Sequence, residues 1–162
     1  MTEAPWGGQD SRPAENPPQD GAPGIPAPHG DVYTWYQRGL ELLGRGSPAA
    51  AAHLLERAAE AEPGSRSVLE ALARAQFDTR RYDEAAATFR RIVEASPSDD
   101  YAQFGLGLAL ARSGDPQAAA EHLALAAAMR PELRHYTDAL RGVRATLKAR
   151  SEAAGEPPGA PA

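Results

Sequence analysis

The side chains that could do chemistry in this sequence are few and far apart. The chain has four histidines and no cysteine, which excludes thiolate metal sites and a cysteine nucleophile. His53 and Glu56 are three residues apart, so a helix would place both on one face, where they could ligate a metal ion as a pair. No further ligand cluster accompanies them. We therefore interpret the pair as part of a solvated helix face.

Two short motifs resemble parts of cofactor or catalytic sites. Gly105 and Gly107 match the start of a dinucleotide-binding fingerprint, but no strand precedes them and the third glycine is missing. Asp99 and Asp100 form an acidic pair at the start of a predicted helix, where carboxylates stabilise the helix by interacting favourably with its dipole. Capping explains this pair better than acid–base catalysis. We expect no enzyme activity and no cofactor.

An enzyme whose site is assembled from distant residues is the alternative. His29 lies in a Pro-rich tail, which leaves three histidines for such a site. At least two of His53, His122 and His135 would have to converge with carboxylates in one pocket. We expect these histidines to be scattered instead.

The charge of the chain gives no sign of a nucleic-acid or membrane partner. The net charge is −5, and residues 31–150 hold 16 acidic and 16 basic side chains, so this central part is neutral. A nucleic-acid-binding domain would carry a basic patch, and a membrane span would need roughly 18 consecutive apolar residues. We see no signal peptide either. We expect a cytoplasmic protein that binds neither nucleic acid nor membranes.

Both ends of the sequence are rich in Pro and Gly. Residues 1–30 and 151–162 contain too few large apolar side chains to offset an ordering cost of about 1–2 kcal/mol per residue. We predict that both tails are disordered. Trp6 is the one large anchor of the first tail, and Pro23 to Pro26 forms a PxxP motif. Each is a candidate recognition motif, and the alternative that we favour is a solvated tail.

Start and stop signals divide residues 31–150 into seven predicted helices. Asp31 is suited to cap the first helix, because its side chain can accept from the orphan N–H groups of the first turn. Ser47 is predicted to cap the second helix, with Pro48 at the first helical position. The same alternation continues to the last predicted helix, residues 134–149. The chain therefore has room for one all-α domain between its tails.

The apolar pattern of these helices repeats every 34 residues. Prolines and alanines mark the period: Pro63, Pro97 and Pro131, and Ala51, Ala85 and Ala119. A fixed period of this length indicates a helical repeat array. We assign the repeats to residues 32–65, 66–99 and 100–133, followed by a capping helix.

The pattern resembles the tetratricopeptide repeat, a 34-residue helix–turn–helix unit with a W-x2-L-G-x2-Y, A-x3-F and P signature. Three residues depart from it: Arg38, Gln76 and Gln103 replace a Leu, an aromatic and a Trp. The resemblance implies a right-handed α-solenoid in which stacked repeats complete one another's cores. The residues that match the signature are Trp35, Gly39, Ala51, Ala58 and Pro63, then Leu72, Ala85, Phe89 and Pro97, and finally Leu106, Gly107, Ala119, Ala126 and Pro131.

The resemblance also assigns packing roles. Small residues belong where the two helices of a repeat cross, and larger ones fill the gap between neighbouring repeats. We expect Gly39 and Gly107 at two of these crossings. We expect Leu55, Phe89 and Leu123 between repeats.

In the family, the first helices of successive repeats line a concave groove that binds peptides or protein segments. We therefore predict a non-catalytic adaptor or scaffold with a protein or peptide partner. The chain's residues at groove-facing positions include five aromatic side chains, which suits a ligand with apolar anchors. They are Tyr33, Tyr36, Gln37 and Leu40, then Glu70, Arg74, Phe77 and Asp78, and finally Tyr101, Phe104, Leu108 and Arg112.

Two alternatives stay open at this point. Tyr33 and Phe77 could merely pack between helices, so that the predicted positions would be mixed core packing instead of a groove. The apolar end near Tyr33 and Tyr36 could pack on a second copy, which would make the chain a homo-oligomer. One subclass of the family clamps the terminal carboxylate of chaperones with Lys and Asn, but both are absent from these positions. We do not expect binding of that kind.

Overall fold

The computed structural model describes residues 5–6 and 31–155, and this part of the chain contains helices and no strand. The predicted all-α class, built from helix–turn–helix repeats, is confirmed. None of the described helices combines the length and hydropathy that a bilayer span requires. The predictions for the other tail residues, including the PxxP motif, lie outside the described residues. The helices are α1 Val32–Gly44, α2 Pro48–Ala61, α3 Arg66–Asp78, α4 Tyr82–Ala95, α5 Asp100–Ser113, α6 Pro116–Met129 and α7 Arg134–Gly155.

The last helix is longer than the sequence predicts. We expected it to end at Ala149, whereas α7 continues to Gly155. The residues in between contain no Pro or Gly, and Lys148 Nζ lies 3.8 Å from a carboxylate oxygen of Glu152 one turn later. Such pairs support a helix modestly. Gly155 and the prolines that follow it supply the stop signal that Arg150 lacks.

Carboxylate caps begin three of the helices. Asp31 Oδ1 accepts from the Thr34 amide at 2.7 Å, and Asp99 Oδ1 accepts from the Ala102 amide at 3.0 Å. Asp115 caps α6 in the same way. Ser47 is an exception to the prediction, because its side chain makes no capping hydrogen bond. There Pro48 alone supplies the start signal, since its missing N–H removes one orphan donor.

The turns between the two helices of each repeat share one backbone path. Each contains a residue with a left-handed backbone at the same 34-residue spacing: Gly46 at φ 73°, Arg80 at φ 62° and Gly114 at φ 97°. After each, an amide reaches back to a carbonyl five residues earlier, as in a Schellman motif. These bonds join Ser47 to Leu42 at 2.8 Å, Arg81 to Gln76 at 2.8 Å, and Asp115 to Leu110 at 2.9 Å.

The described residues fall into two compact units, the first ending at Arg81 and the second starting at Tyr82. In the first unit, α1 packs on α2, and α2 packs on α3. Gly39 lets α1 approach α2, because a Cβ there would lie 2.7 Å from Leu55 Cγ. Leu55 is fully buried. The predicted close approach at Gly39 is confirmed, and Leu55 lies over the glycine of its own repeat.

In the second unit, α5 packs against α4 on one side and α6 on the other. A Cβ on Gly107 would lie 2.6 Å from Leu123 Cγ and 3.2 Å from the Ala119 carbonyl oxygen. The predicted crossing at Gly107 is therefore confirmed. A Cβ on Gly105 would overlap the ring of Phe89, which belongs to the preceding repeat. Phe89 therefore fills the space between repeats, as expected.

Gln103 shows how the chain accommodates a departure from the repeat signature. Its side chain is buried, and its Nε2 donates to the Pro97 carbonyl at 2.9 Å. Its Oε1 lies 2.7 Å from Nδ1 of His122, so this imidazole nitrogen carries the proton and donates. A polar pair on α5 and α6 thus replaces the usual Trp, with the amide of Gln103 satisfied at both ends.

Candidate functional site

The predicted surface begins on α1, whose four predicted groove positions are exposed or half-buried. Tyr33 is exposed over 51% of its surface, and Gln37 is also exposed. Tyr36 and Leu40 are half-buried. Tyr33 therefore does not pack between helices, as the alternative for this residue supposed. On the other side of α1, Trp35 stacks under the guanidinium of Arg57 at 4.7 Å.

On α3, which contacts α1 within the same unit, the predicted positions form a polar strip beside an aromatic ring. Glu70 pairs with Arg66 across one helical turn at 3.3 Å. Arg74 is half-buried, and its Nε atom is buried without a hydrogen-bond partner among the described residues. A buried N–H without an acceptor costs about 1–3 kcal/mol. Arg74 therefore carries an N–H whose hydrogen-bonding capacity is unused within the described residues.

The end of α3 carries a contact that the sequence did not predict. The indole of Trp6 and the ring of Phe77 pack in a T-shaped arrangement, with centroids 5.0 Å apart and planes at 72°. The indole Nε1 donates to Oδ1 of Asp78 at 3.2 Å. Only 8% of Trp6 is exposed, so this residue corrects the prediction of a wholly solvated tail. An indole needs both an apolar contact and an acceptor, and Phe77 and Asp78 supply one each.

Opposing effects set the pKa of the Asp78 carboxyl. Partial burial raises this pKa above its ordinary value, and the hydrogen bond from Trp6 and the positive charge of Arg74 act against the rise. Asp78 nevertheless keeps an exposed side. Its carboxylate is therefore an acceptor that solvent or a ligand can also reach.

In the second unit, the predicted α5 positions differ in exposure. Tyr101 and Phe104 are buried, Leu108 is half-buried and Arg112 is exposed. The ring of Phe104 stacks on Tyr136 of α7, with centroids 4.4 Å apart. The alternative of packing between helices therefore applies to Phe104, because α7 covers the ring.

Tyr136 also fixes the start of α7 to the start of α5. Its hydroxyl donates to Oδ2 of Asp100 at 2.8 Å, and the residue is 1% exposed. The Asp100 carboxylate also lies 3.9 Å from Arg130. These contacts give the Asp100 carboxylate a structural role in the unit, as capping of α5 does for Asp99.

The histidines of the described part have separate surroundings. His53 Nδ1 lies 3.9 Å from Glu56, whose other oxygen pairs with Arg81 at 2.7 Å. His122 bonds to Gln103, and His135 packs edge-on against Phe104 at 5.3 Å. Within residues 5–6 and 31–155, no group of three or more His, Cys, Asp or Glu side chains is arranged to hold a metal ion.

The sequence itself matches a family model described as the tetratricopeptide repeat. One match covers residues 36–100, and a second covers residues 97–133. The chain belongs to the tetratricopeptide repeat family. The resemblance inferred from the repeat pattern is thereby confirmed. No curated protein matches the chain.

Solved tetratricopeptide structures share this fold at low sequence identity. The first such domain of human RPAP3 is 16% identical and covers 75% of this chain and 95% of that one, with a TM-score of 0.69. The corresponding domain of Spaghetti (RPAP3), bound to the HSP90 peptide SRMEEVD, is 18% identical and covers 77% and 99%, also at 0.69. YrrB, a tetratricopeptide protein with an unusual peptide-binding site, is 22% identical and covers 68% and 57%, at 0.65. These similarities establish the fold.

Proposed function

We propose that this tetratricopeptide protein is a non-catalytic interaction module that binds a peptide or protein segment. The surface it uses is the predicted face of its first helices, represented in the first unit by α1 and α3. Arg74 carries the proposal. Arg74 lies half-buried at a groove position, its Nε makes no hydrogen bond among the described residues, and a guanidinium offers further N–H donors that match a peptide carbonyl or carboxylate oxygen.

The aromatic residues next to this strip support the same conclusion. Tyr36 and Leu40 are partly accessible, and Tyr33 is mostly exposed. Tyr and Arg are the residue types that most often contribute large parts of a binding energy. Two proteins of this fold, RPAP3 bound to an HSP90 peptide and YrrB with its unusual peptide-binding site, point the same way.

In the second unit, the proposed contacts are narrower than the sequence prediction. Tyr101 and Phe104 are buried, so replacing them would disturb the core before it tested a ligand. Leu108 and Arg112 are the predicted α5 residues with accessible surface. We propose these two, and not the buried rings, as the ligand contacts of α5.

A peptide selection tests the function directly. The full chain is immobilised, peptides are selected from a random library, and their affinities are measured by fluorescence anisotropy. We expect the selected peptides to bind Tyr36→Ala and Arg74→Ala at least about tenfold more weakly than wild type, equivalent to about 1.4 kcal/mol. Arg144→Ala is the control, because Arg144 is an exposed arginine on α7.

The affinities of the three variants distinguish binding at this face from binding elsewhere. Selected peptides that bind all three variants equally would show that this face is not the site. Failure to select any peptide would count against a peptide-binding module. Circular dichroism of each variant confirms that the helices are intact before affinities are compared.

Self-association is the second candidate, and the exposure of Tyr33 favours it. An aromatic side chain that is 51% exposed at the start of α1 is available to a second copy. Light scattering over a range of concentrations should then show a rising mass that Tyr33→Ser abolishes. A constant monomer mass would exclude this candidate.

A further inference from the structure

We propose that Phe77 and Asp78 form a tryptophan-binding site on α3, that Trp6 of the same chain occupies it as an internal ligand, and that a protein ligand with an accessible Trp must displace Trp6. The inference rests on the proposed function only for the external ligand. The internal contact stands on its own geometry. The site lies on the face that we assign to ligand binding, so Trp6 blocks this part of the face while it occupies the site.

The contacts select for tryptophan over other aromatic residues. The rings of Trp6 and Phe77 pack edge to face with centroids 5.0 Å apart, and Nε1 of Trp6 donates to Oδ1 of Asp78 at 3.2 Å. Phenylalanine offers the ring without a donor, and tyrosine carries its donor at the far tip of the ring. Asp78 in turn supplies a charged acceptor, which makes a stronger hydrogen bond than a neutral one.

The position of Trp6 in the chain makes it an internal competitor. The contact joins residues 72 positions apart, and 24 residues separate Trp6 from the cap of α1 at Asp31. A ligand that is covalently tethered acts at a high effective concentration without being consumed. An external ligand therefore meets a site whose free fraction is small, and its apparent affinity falls in proportion to that fraction.

The first experiment compares wild type with Trp6→Ala as full chains. The probe is a fluorescein-labelled synthetic peptide with the sequence of residues 1–12, and a second probe has Phe in place of Trp6. We expect Trp6→Ala to bind the Trp probe about tenfold more tightly than wild type, as an occupancy of about nine-tenths by the internal Trp would require. Equal affinities would overturn the proposal.

Asp78 is then tested against a matched carboxylate. In the Trp6→Ala background, the Trp probe should bind about tenfold more tightly than the Phe probe, because only the indole donates to Asp78. Adding Asp78→Ala should remove this preference. Adding Asp83→Ala, at an exposed position in the first turn of α4, should leave it intact. A preference that survives Asp78→Ala would show that Asp78 is not the acceptor.

A spectroscopic readout in the otherwise unaltered chain does not depend on any added ligand. The chain has two tryptophans, so 5-fluorotryptophan labelling gives two ¹⁹F signals, and the Trp6 signal is the one lost in Trp6→Ala. We expect that signal to move in Asp78→Ala and to stay in Asp83→Ala. A Trp6 signal that is unaffected by Asp78→Ala would refute the internal contact.

The library-selected peptides separate this inference from the proposed function. Selected peptides that bind wild type and Trp6→Ala equally would overturn the competition while leaving the interaction module in place. Selected peptides that gain affinity in Trp6→Ala and contain Trp would support both.

Discussion

Replacing Gly107 with alanine tests the closest helix approach in the second unit. The new Cβ would lie 2.6 Å from Leu123 Cγ and 3.2 Å from the Ala119 carbonyl oxygen, so a side chain or a helix has to move. Overpacking of this kind costs about 1–3 kcal/mol. Alanine also favours a helix over glycine by about 1 kcal/mol. The net loss of unfolding free energy should therefore be between about 0 and 2 kcal/mol.

Gly142→Ala isolates the packing cost from the helix propensity. Gly142 lies inside α7, and no atom would lie within 4 Å of a Cβ there. This variant should gain the propensity of about 1 kcal/mol without any clash. The difference between the two variants therefore measures the overpacking alone, at about 1–3 kcal/mol. Urea unfolding followed by circular dichroism gives both values, and melting temperatures should differ by about 2–4 °C per kcal/mol.

A third variant locates the clash. Leu123 is fully buried, and Leu123→Ala should cost about 2–5 kcal/mol through the cavity it leaves. In that background, Gly107→Ala should cost less than it does alone, with a coupling of about 0.5–3 kcal/mol. If Gly107→Ala is as stable as Gly142→Ala, the crossing of α5 and α6 is not as close as the structure shows, and the reasoning fails.

Two further predictions concern polar contacts of the second unit. Tyr136→Phe removes the hydrogen bond to Asp100, which keeps Arg130 as a neighbour, so we expect urea unfolding to show a loss of about 1–2 kcal/mol in unfolding free energy. The control is Tyr33→Phe at an exposed position, which should change the unfolding free energy by less than about 0.5 kcal/mol. Equal effects of the two substitutions would contradict the role of the hydrogen bond. Burial, followed by the charge of Arg90, lowers the pKa of His122. The unfolded chain therefore binds more protons below about pH 6.5, and stability should fall as the pH drops through this window. His122→Gln should weaken that pH dependence, and a pH profile identical to that of wild type would refute the assignment.

The sequence predicted those features that depend on local spacing. The 34-residue period located every helix pair, and it placed Gly39 and Gly107 at the close approaches that the structure contains. These features are determined by contacts between residues that lie a few turns apart on the same helix or on adjacent helices. The end of α7 was placed too early because the prediction relied on composition, whereas the helix ends only at Gly155.

The exposure of the candidate site could not be predicted in the same way. Phe104 and Tyr36 occupy similar positions in the repeat, yet Phe104 is buried because α7 supplies Tyr136 to stack on it, and no helix covers Tyr36 to that extent. Trp6 lies 72 positions from Asp78, and no periodicity links them. The sequence showed only that Trp6 is a single large aromatic residue in a polar tail, and this does not indicate which residues it contacts.

The left-handed turns determine which repeat is the best template for further copies. Gly46 and Gly114 adopt that backbone without a penalty, while an ordinary side chain such as that of Arg80 makes it unfavourable by about 1–2 kcal/mol. The three turns therefore share the path of the main chain and not its sequence. Glycine suits the left-handed position best, and the middle repeat has Arg80 there instead. An engineer who extends the array from a template should copy the turn of the first or third repeat. A scan for more copies should match the turn's hydrogen bonds, because a scan for its glycine would miss the middle one.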